Sequence, residues 1–271
     1  MSGMPTKAAE GKKQISGHGL AYQIDGRCDA PPLVLINSLG MTTVLWDGIA
    51  PDYARHFLTI RYDQRGHGAS TADPVPRSVA DLGADLIALL DDLGIGRVSI
   101  CGLSLGGLVA MWVAANAPDR VDRLVLACTS AHPNDEAKWV ARVDQVLSHG
   151  VASVTPQGSQ GWFTAAFAAS HPDLMAKLRR EVELASAVAY AGCCEALRTA
   201  NLLPLLPKIS APTLIIVGGH DRSFPIAHAN AIHHGIADSR VVLFDDAAHI
   251  ACVEIPERFA QASLDHLLGK R

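Results

Sequence analysis

Charged side chains are scarce: Asp, Glu, Lys and Arg make up 18% of the 271 residues, against 49% hydrophobic. That balance excludes a disordered chain and points to a compact globule with a large interior. The net charge of −4 supplies no basic field to recruit nucleic acid or an anionic lipid surface. No run of eighteen apolar residues occurs, so no membrane-spanning helix is expected. The start, M-S-G-M-P-T-K-A-A-E-G-K-K, lacks the apolar h-region of a signal peptide and reads as a flexible polar tail over residues 1–13. The six cysteines form no C-x-x-C pair. Several sit inside apolar runs as small hydrophobes, and adjacent Cys193 and Cys194 read as packing rather than a redox pair. A reducing cytoplasm is the expected setting. No G-x-G-x-x-G or G-x-x-x-x-G-K-[ST] follows a strand, so no nucleotide is expected. His228, His233 and His234 lack the i, i+4 spacing of a helical metal pair, so no metal is expected either.

What is present is an alternation. Short strands are expected over residues 14–24, broken by Gly17 and Gly19. Apolar runs rich in Val, Ile and Leu follow at 32–37, 58–63, 97–102, 123–128, 213–218 and 240–245. Runs of this length suit strands buried on both faces. Helical patterns fall between them. Ser78 can cap a helix carrying Val79, Leu82, Leu86, Leu89, Leu90 and Leu93, with Asp81 at the capping-box offset and Gly94 at its end. Further helices are expected at 105–117 and 256–268. The fold class is therefore α/β, a mostly parallel sheet with helices on both faces. Residues 132–206 contain no convincing strand. Helical segments at 135–148, 160–169, 172–184 and 188–200 read as an insertion capping one end of the sheet. The expected core is 14–131 with 207–271.

The sharpest motif is C-G-L-S-L-G-G at 101–107, which contains G-x-S-x-G between a buried strand and an apolar helix. The turn strains the serine, and the flanking glycines leave room for neighbouring backbone. Ser104 would then project at the C-terminal edge of the sheet, near the positive end of a helix. A serine hydroxyl needs a base, and the base needs a carboxylate to orient it. Asp221 follows the strand ending at Gly218, and His249 follows the next strand. Asp245 and Asp246 are rival acids, but they lie three or four residues before His249 on its own loop, which suits a structural role better. His220 reads as a pocket or surface group, and R-G-H-G at 65–68 as a tight turn. The oxyanion of a tetrahedral intermediate needs two donors. The backbone N–H groups of Leu105, after the serine, and of Leu39, in the N-S-L-G loop at 37–40, are the candidates.

Together these residues resemble the α/β-hydrolase superfamily from about Gly19 onward. Within it the sequence is similar to 3-oxoadipate enol-lactonases. The carrying stretches are N-S-L-G with L-W-D at 45–47, R-Y-D-Q-R-G-H-G-A-S at 61–70, C-G-L-S-L-G-G, A-P-D-R-V-D-R-L-V-L-A at 117–127, W-F-T at 162–164 and A-G-C-C-E-A-L-R at 191–198. The resemblance implies a helical cap after the sixth strand and a triad in the order Ser104, Asp221, His249. It implies opening of a small lactone in aromatic catabolism, with no cofactor. Two stretches depart from the family pattern: G-G-H-D-R-S-F-P around Asp221 and I-A-C-V-E-I-P after His249. An enol-lactone of this kind carries a free carboxylate, for which Arg142 is the expected anchor. Trp139 and Trp162 are expected to line the pocket. The expected partner is thus a small lactone or ester. The same triad also serves carboxylesterases, other lactonases, carbon–carbon bond hydrolases and perhydrolases, and the fold carries non-catalytic ligand binders.

Overall fold

The computed structural model describes residues 11–15 and 18–270. Eight strands among them form one sheet: β1 (Gly11–Ile15), β2 (His18–Asp25), β3 (Pro32–Ile36), β4 (Leu58–Tyr62), β5 (Val98–Leu103), β6 (Val121–Ala127), β7 (Thr213–Gly218) and β8 (Ser239–Phe244). Their spatial order is β1-β2-β4-β3-β5-β6-β7-β8. β2 is antiparallel to β1 and β4, and every other neighbouring pair is parallel. The Val, Ile and Leu runs occupy the middle of this sheet, where β5 and β7 are buried at every position.

Helices α1 (Ala50–Ala54), α2 (Val79–Asp92) and α3 (Leu105–Asn116) connect the first strands. From β3 the chain crosses one way to β4, and from β5 it crosses the other way to β6. Right-handed crossovers in opposite directions put α1 and α3 on opposite faces. The order reverses beside β3 and β5, which opens a crevice at their C-terminal ends. α2 packs on α3 so closely that a side chain at Gly83 would overlap the Trp112 ring. Between β6 and β7 lie α4 (Glu136–His149), α5 (Thr155–Gly158), α6 (Ala165–Ser170), α7 (Pro172–Glu183) and α8 (Ala187–Thr199), with no strand among them. The chain ends with α9 (Ile226–Gly235), α10 (Ala251–Glu254) and α11 (Pro256–Leu267). No helix of the described residues is long and apolar enough to cross a membrane. Cys101, Cys128, Cys193, Cys194 and Cys252 are buried and unpaired, and burial pushes their thiols up, so they act as packing.

Several boundaries differ from expectation. Residues 1–10 of the expected tail, and Gly17, lie outside the described residues. Residues 11–13 belong to β1, where backbone pairing with β2 holds them without any need for an apolar pattern. The apolar run at 240–245 suits a strand buried on both faces, but β8 is an edge strand and Leu243 is 44% exposed. The helix expected over 160–169 is interrupted at Trp162–Phe163–Thr164. Tertiary hydrogen bonds, described below, hold that segment outside helical geometry.

The capping box of α2 is formed: Ser78 Oγ accepts from the Asp81 N–H at 3.1 Å, and Asp81 Oδ2 accepts from the Ser78 N–H at 3.0 Å. Removing such a cap costs about 1 kcal/mol. Ser78→Ala is therefore expected to lower unfolding free energy by about that amount. Urea denaturation checks it, and an unchanged midpoint would show that α2 does not depend on its cap.

Candidate active site

β5 delivers the chain into a tight turn at Ser104, whose φ is +56°. A non-glycine residue tolerates this only when its surroundings enforce it. Here the Ser104 N–H donates to the Ala127 carbonyl at 2.9 Å, and the Thr129 hydroxyl donates to the Ser104 carbonyl at 2.7 Å. A Cβ on Gly102 would overlap the Gly106 carbonyl, and one on Gly106 would overlap the Ile36 carbonyl. The glycines of the motif thus let α3 begin directly against the end of β3. The N–H groups of a first helical turn have no intrahelical acceptor. Leu105 is the first residue of that turn, so its N–H is free to serve a ligand beside Ser104.

The loop after β3 is held from three sides. Asn37 is fully buried: its Oδ1 accepts from Trp46 Nε1 and its Nδ2 donates to the Tyr62 carbonyl, both at 2.8 Å. The Gly40 N–H donates to His67 Nε2 at 3.1 Å, and His67 Nδ1 donates to the Arg65 carbonyl at 2.9 Å. That pair of bonds fixes the neutral tautomer, and burial holds the His67 pKa below the usual histidine range. R-G-H-G does form a turn, with positive φ at Gly66 and Gly68. It has a second job that spacing did not reveal, which is to hold the loop carrying Leu39. Leu39 and Ser38 line the same cavity as Ser104.

Asp221 and His249 meet across the ends of β7 and β8. His249 Nδ1 and Asp221 Oδ2 are 2.9 Å apart, and the Asp221 side chain is wholly buried. Asp221 Oδ1 accepts from the Ser223 and Phe224 N–H groups at 2.8 and 3.1 Å. The rival acids are elsewhere: Asp245 is exposed, and Asp246 pairs with Arg258 at 2.6 Å on the surface. His220 is exposed. Among the described residues no hydrogen bond joins Ser104 Oγ to His249, but both line one cavity of about 480 Å³. His228 bonds Ser130 at 2.8 Å and His233 bonds Ser239 at 2.9 Å. No three His, Cys, Asp or Glu side chains among the described residues converge as a metal site.

The cap supplies the opposite wall. Trp139, Arg142 and Trp162 all line the cavity. Trp139 is 5% exposed and its buried Nε1–H has no hydrogen-bond partner among the described residues. The Arg142 guanidinium lies 5.6 Å from the centre of the Trp139 ring. Lys138, Tyr190 and Arg222, none of them singled out by sequence, also line it. Burial pushes the Tyr190 phenol up, and Arg142 partly offsets this.

A further residue missed by sequence reading is Glu254. Its Oε2 accepts from the Ala248 N–H at 2.7 Å, next to His249. Its Oε1 accepts from the Thr164 N–H at 2.8 Å and from the Thr164 hydroxyl at 2.6 Å. The Ile250 N–H donates to the Trp162 carbonyl at 2.8 Å. The backbone on both sides of His249 is thereby tied to the cap segment 162–164. W-F-T and V-E-I-P carry this lock, and only the fold brings them together.

The chain belongs to the α/β hydrolase fold family, whose pattern matches residues 31–256. It is 35% identical over 243 residues to 3-oxoadipate enol-lactonase 2 of Acinetobacter baylyi, covering 90% of this chain and 91% of that one. The crystal structure of the enol-lactonase from Burkholderia xenovorans LB400 superposes with a TM-score of 0.93 at 34% identity, covering 95% of this chain and all of that one. A thermophilic esterase from Thermogutta terrifontis, solved with malate bound, superposes with a TM-score of 0.89 at 26% identity, covering 97% and 99%. These relatives support hydrolytic chemistry.

Two predictions follow from the geometry. Glu254→Ala should free the His249 loop and lower turnover of a p-nitrophenyl ester by up to about a hundredfold, the cost of a displacement near 1 Å. Glu254→Gln, whose amide nitrogen would face either the Ala248 or the Thr164 N–H, keeps only one side of the join and should lose activity too, and unchanged turnover in Glu254→Ala would contradict the lock. His67, His228 and His266 all have pKa values lowered by burial. The unfolded chain therefore binds protons that the folded chain refuses. Stability should be full above about pH 6.5, the unfolded histidine value, and fall as the pH drops toward the folded pKa values. Thermal midpoints between pH 7.5 and 5.5 check this, and a flat profile would contradict it.

Proposed function

We propose that this protein is a serine hydrolase that opens a small carboxylated lactone, with 3-oxoadipate enol-lactone as the substrate favoured. The observation carrying this reading is that Ser104, His249, Arg142 and Trp139 line one cavity, with buried Asp221 hydrogen-bonded to His249 and the Trp139 N–H without a partner among the described residues. The enol-lactonase relatives support the substrate assignment. The reading extends to a place in the breakdown of aromatic compounds, in the cytoplasm.

In this mechanism His249 Nε2 takes the proton of Ser104 as its Oγ attacks the ring carbonyl. Asp221 keeps the proton on Nδ1 and stabilises the imidazolium that forms. The N–H groups of Leu39 and Leu105 receive the oxyanion. The ring C–O bond breaks and expels an enolate, a better leaving group than an alkoxide, which His249 protonates. His249 then draws a proton from water, which attacks the acyl-enzyme and frees Ser104. The released enol tautomerises to the ketone, which makes the reaction hard to reverse. No step calls for a cofactor. Arg142 and Trp139 Nε1–H hold the carboxylate that is present from the outset, with Trp162 as a wall of the pocket.

A carboxylesterase reading is served by the same triad and by the esterase likeness. A cavity lined by Lys138, Arg142 and Arg222 and by no Asp or Glu fits a neutral ester less well than an anionic lactone. The discriminating experiment follows loss of ultraviolet absorbance of freshly made enol-lactone beside a panel of p-nitrophenyl esters. Lactone turnover should far exceed the esters and fall by at least about a thousandfold in Ser104→Ala. Arg142→Ala should raise KM for the lactone more than it lowers kcat. Slow lactone turnover with Ser104-dependent ester cleavage would remove the substrate assignment and leave the esterase reading.

A further inference from the structure

Outside the substrate cavity stands a histidine that the mechanism does not use. His228 lies in the first turn of α9, is partly buried, and is not among the residues lining the cavity. Its ring meets the Phe224 ring edge to face, with centroids 5.4 Å apart and planes at 70°. The Phe224 ring in turn lies 5.9 Å from the His249 ring, centroid to centroid. Phe224 also donates its N–H to Asp221 Oδ1. One buried phenylalanine therefore contacts both members of the Asp221–His249 pair and His228 as well.

His228 is itself held by the core. Its Nδ1 lies 2.8 Å from the Ser130 hydroxyl oxygen, which also accepts from the His132 N–H at 2.9 Å. The hydroxyl hydrogen then has one acceptor among the described residues, His228 Nδ1. Ser130 therefore donates, and His228 is neutral with its proton on Nε2. Burial favours the same form by holding His228 below the usual histidine range; Asp221 opposes this and His132 adds to it. A cation in a first helical turn would also face the positive end of the helix dipole. A neutral His228 leaves the charge of Asp221 to the imidazolium that forms at His249. Ser130 is fully buried and lies two residues past Cys128, whose φ of +46° turns the chain out of β6. Between them Thr129 holds the Ser104 carbonyl. The segments entering and leaving the cap are tied together just beyond. His132 Nδ1 donates to the Ala200 carbonyl at 2.8 Å, and the Leu202 N–H donates to the Ala131 carbonyl at 2.7 Å. The hydroxyl that orients His228 is thus set by the short segment that braces the serine and carries the cap.

We propose that His228 is a positioning residue for the reaction: held by Ser130, it braces Phe224 against the His249–Asp221 pair. This rests on the reading of Ser104, Asp221 and His249 as the catalytic groups. His228 acts through Phe224 and not on the substrate. Its loss should slow the activation of Ser104 and leave ligand affinity in place.

The rate at which a fluorophosphonate labels Ser104 reports that activation whichever ester or lactone the enzyme turns over. Labelling of His249→Ala at the wild-type rate would overturn the catalytic reading and the proposal with it. With His249→Ala slow, His228→Ala tests the proposal alone. Its maximal labelling rate should fall by about ten- to a hundredfold, the cost of a displacement of up to 1 Å, with the half-saturating probe concentration unchanged. In a Phe224→Leu background the same His228 substitution should have little further effect, because residues acting through one contact are not additive. A wild-type labelling rate in His228→Ala, a loss carried by the half-saturating concentration alone, or an equal effect with and without Phe224 would overturn the proposal. Should His228→Ala fail to fold, Ser130→Ala carries the test, since it keeps the whole imidazole and removes the bond that orients it. Slower labelling is expected there too, and an unchanged rate would overturn the proposal.

Discussion

The close approach of the first turn of α3 to the end of β3 is the constraint on which the site depends. It exists because Gly106 carries no side chain where it meets the Ile36 carbonyl, and Gly102 none where it meets Gly106. That contact sets the distance between Ser104 and the loop carrying Leu39, since the two lie on adjacent parallel strands, β5 and β3. The strained backbone at Ser104 is then held from behind by Ala127 and Thr129 at the end of β6. Three neighbouring strand ends therefore converge on one serine. The loop on β3 is stiffened in turn by Asn37 and His67, two buried polar side chains whose bonds are all internal. Buried polar groups satisfied in this way specify one arrangement rather than several.

The second organising element is the join between cap and core. Glu254 and the Ile250 N–H connect the residues flanking His249 to the 162–164 segment. Any shift of that wall is thereby transmitted to the imidazole. The pocket wall and the proposed base are one mechanical unit, and Trp162 lies within it. On the other side of the cavity α4 presents its cations and the Trp139 indole. The chemistry is thus proposed to belong to the sheet edge and the recognition of the substrate carboxylate to the cap.

Much of this was legible in the sequence because it rests on local rules. The buried runs at 97–102 and 213–218 mark central strands by composition, and Ser78 with Asp81 marks a helix start by spacing. G-x-S-x-G marks Ser104, and the positions just past strand ends mark His249, which lines the same cavity as Ser104, and Asp221, which is hydrogen-bonded to His249. Arg142, Trp139 and Trp162 reached the same cavity because helix spacing keeps Trp139 and Arg142 on one face. What escaped depends on partners distant in the chain. β1 is held by backbone pairing, which leaves no side-chain signature. The break at 162–164 answers to Glu254, ninety residues away. His67 looked like a turn residue because its role is a hydrogen bond to Gly40, and no local pattern marks Lys138 and Arg222, which the fold brings to the same cavity.

The central claim is that Ser104 is activated by the His249–Asp221 pair. Peptide mass spectrometry after treatment with a fluorophosphonate, comparing wild type with His249→Ala and Asp221→Ala, tests it most directly. The account predicts rapid modification confined to Ser104 in the wild type and strongly slowed modification in both variants. Modification at another residue, or Ser104 labelling at the same rate in all three proteins, would contradict it.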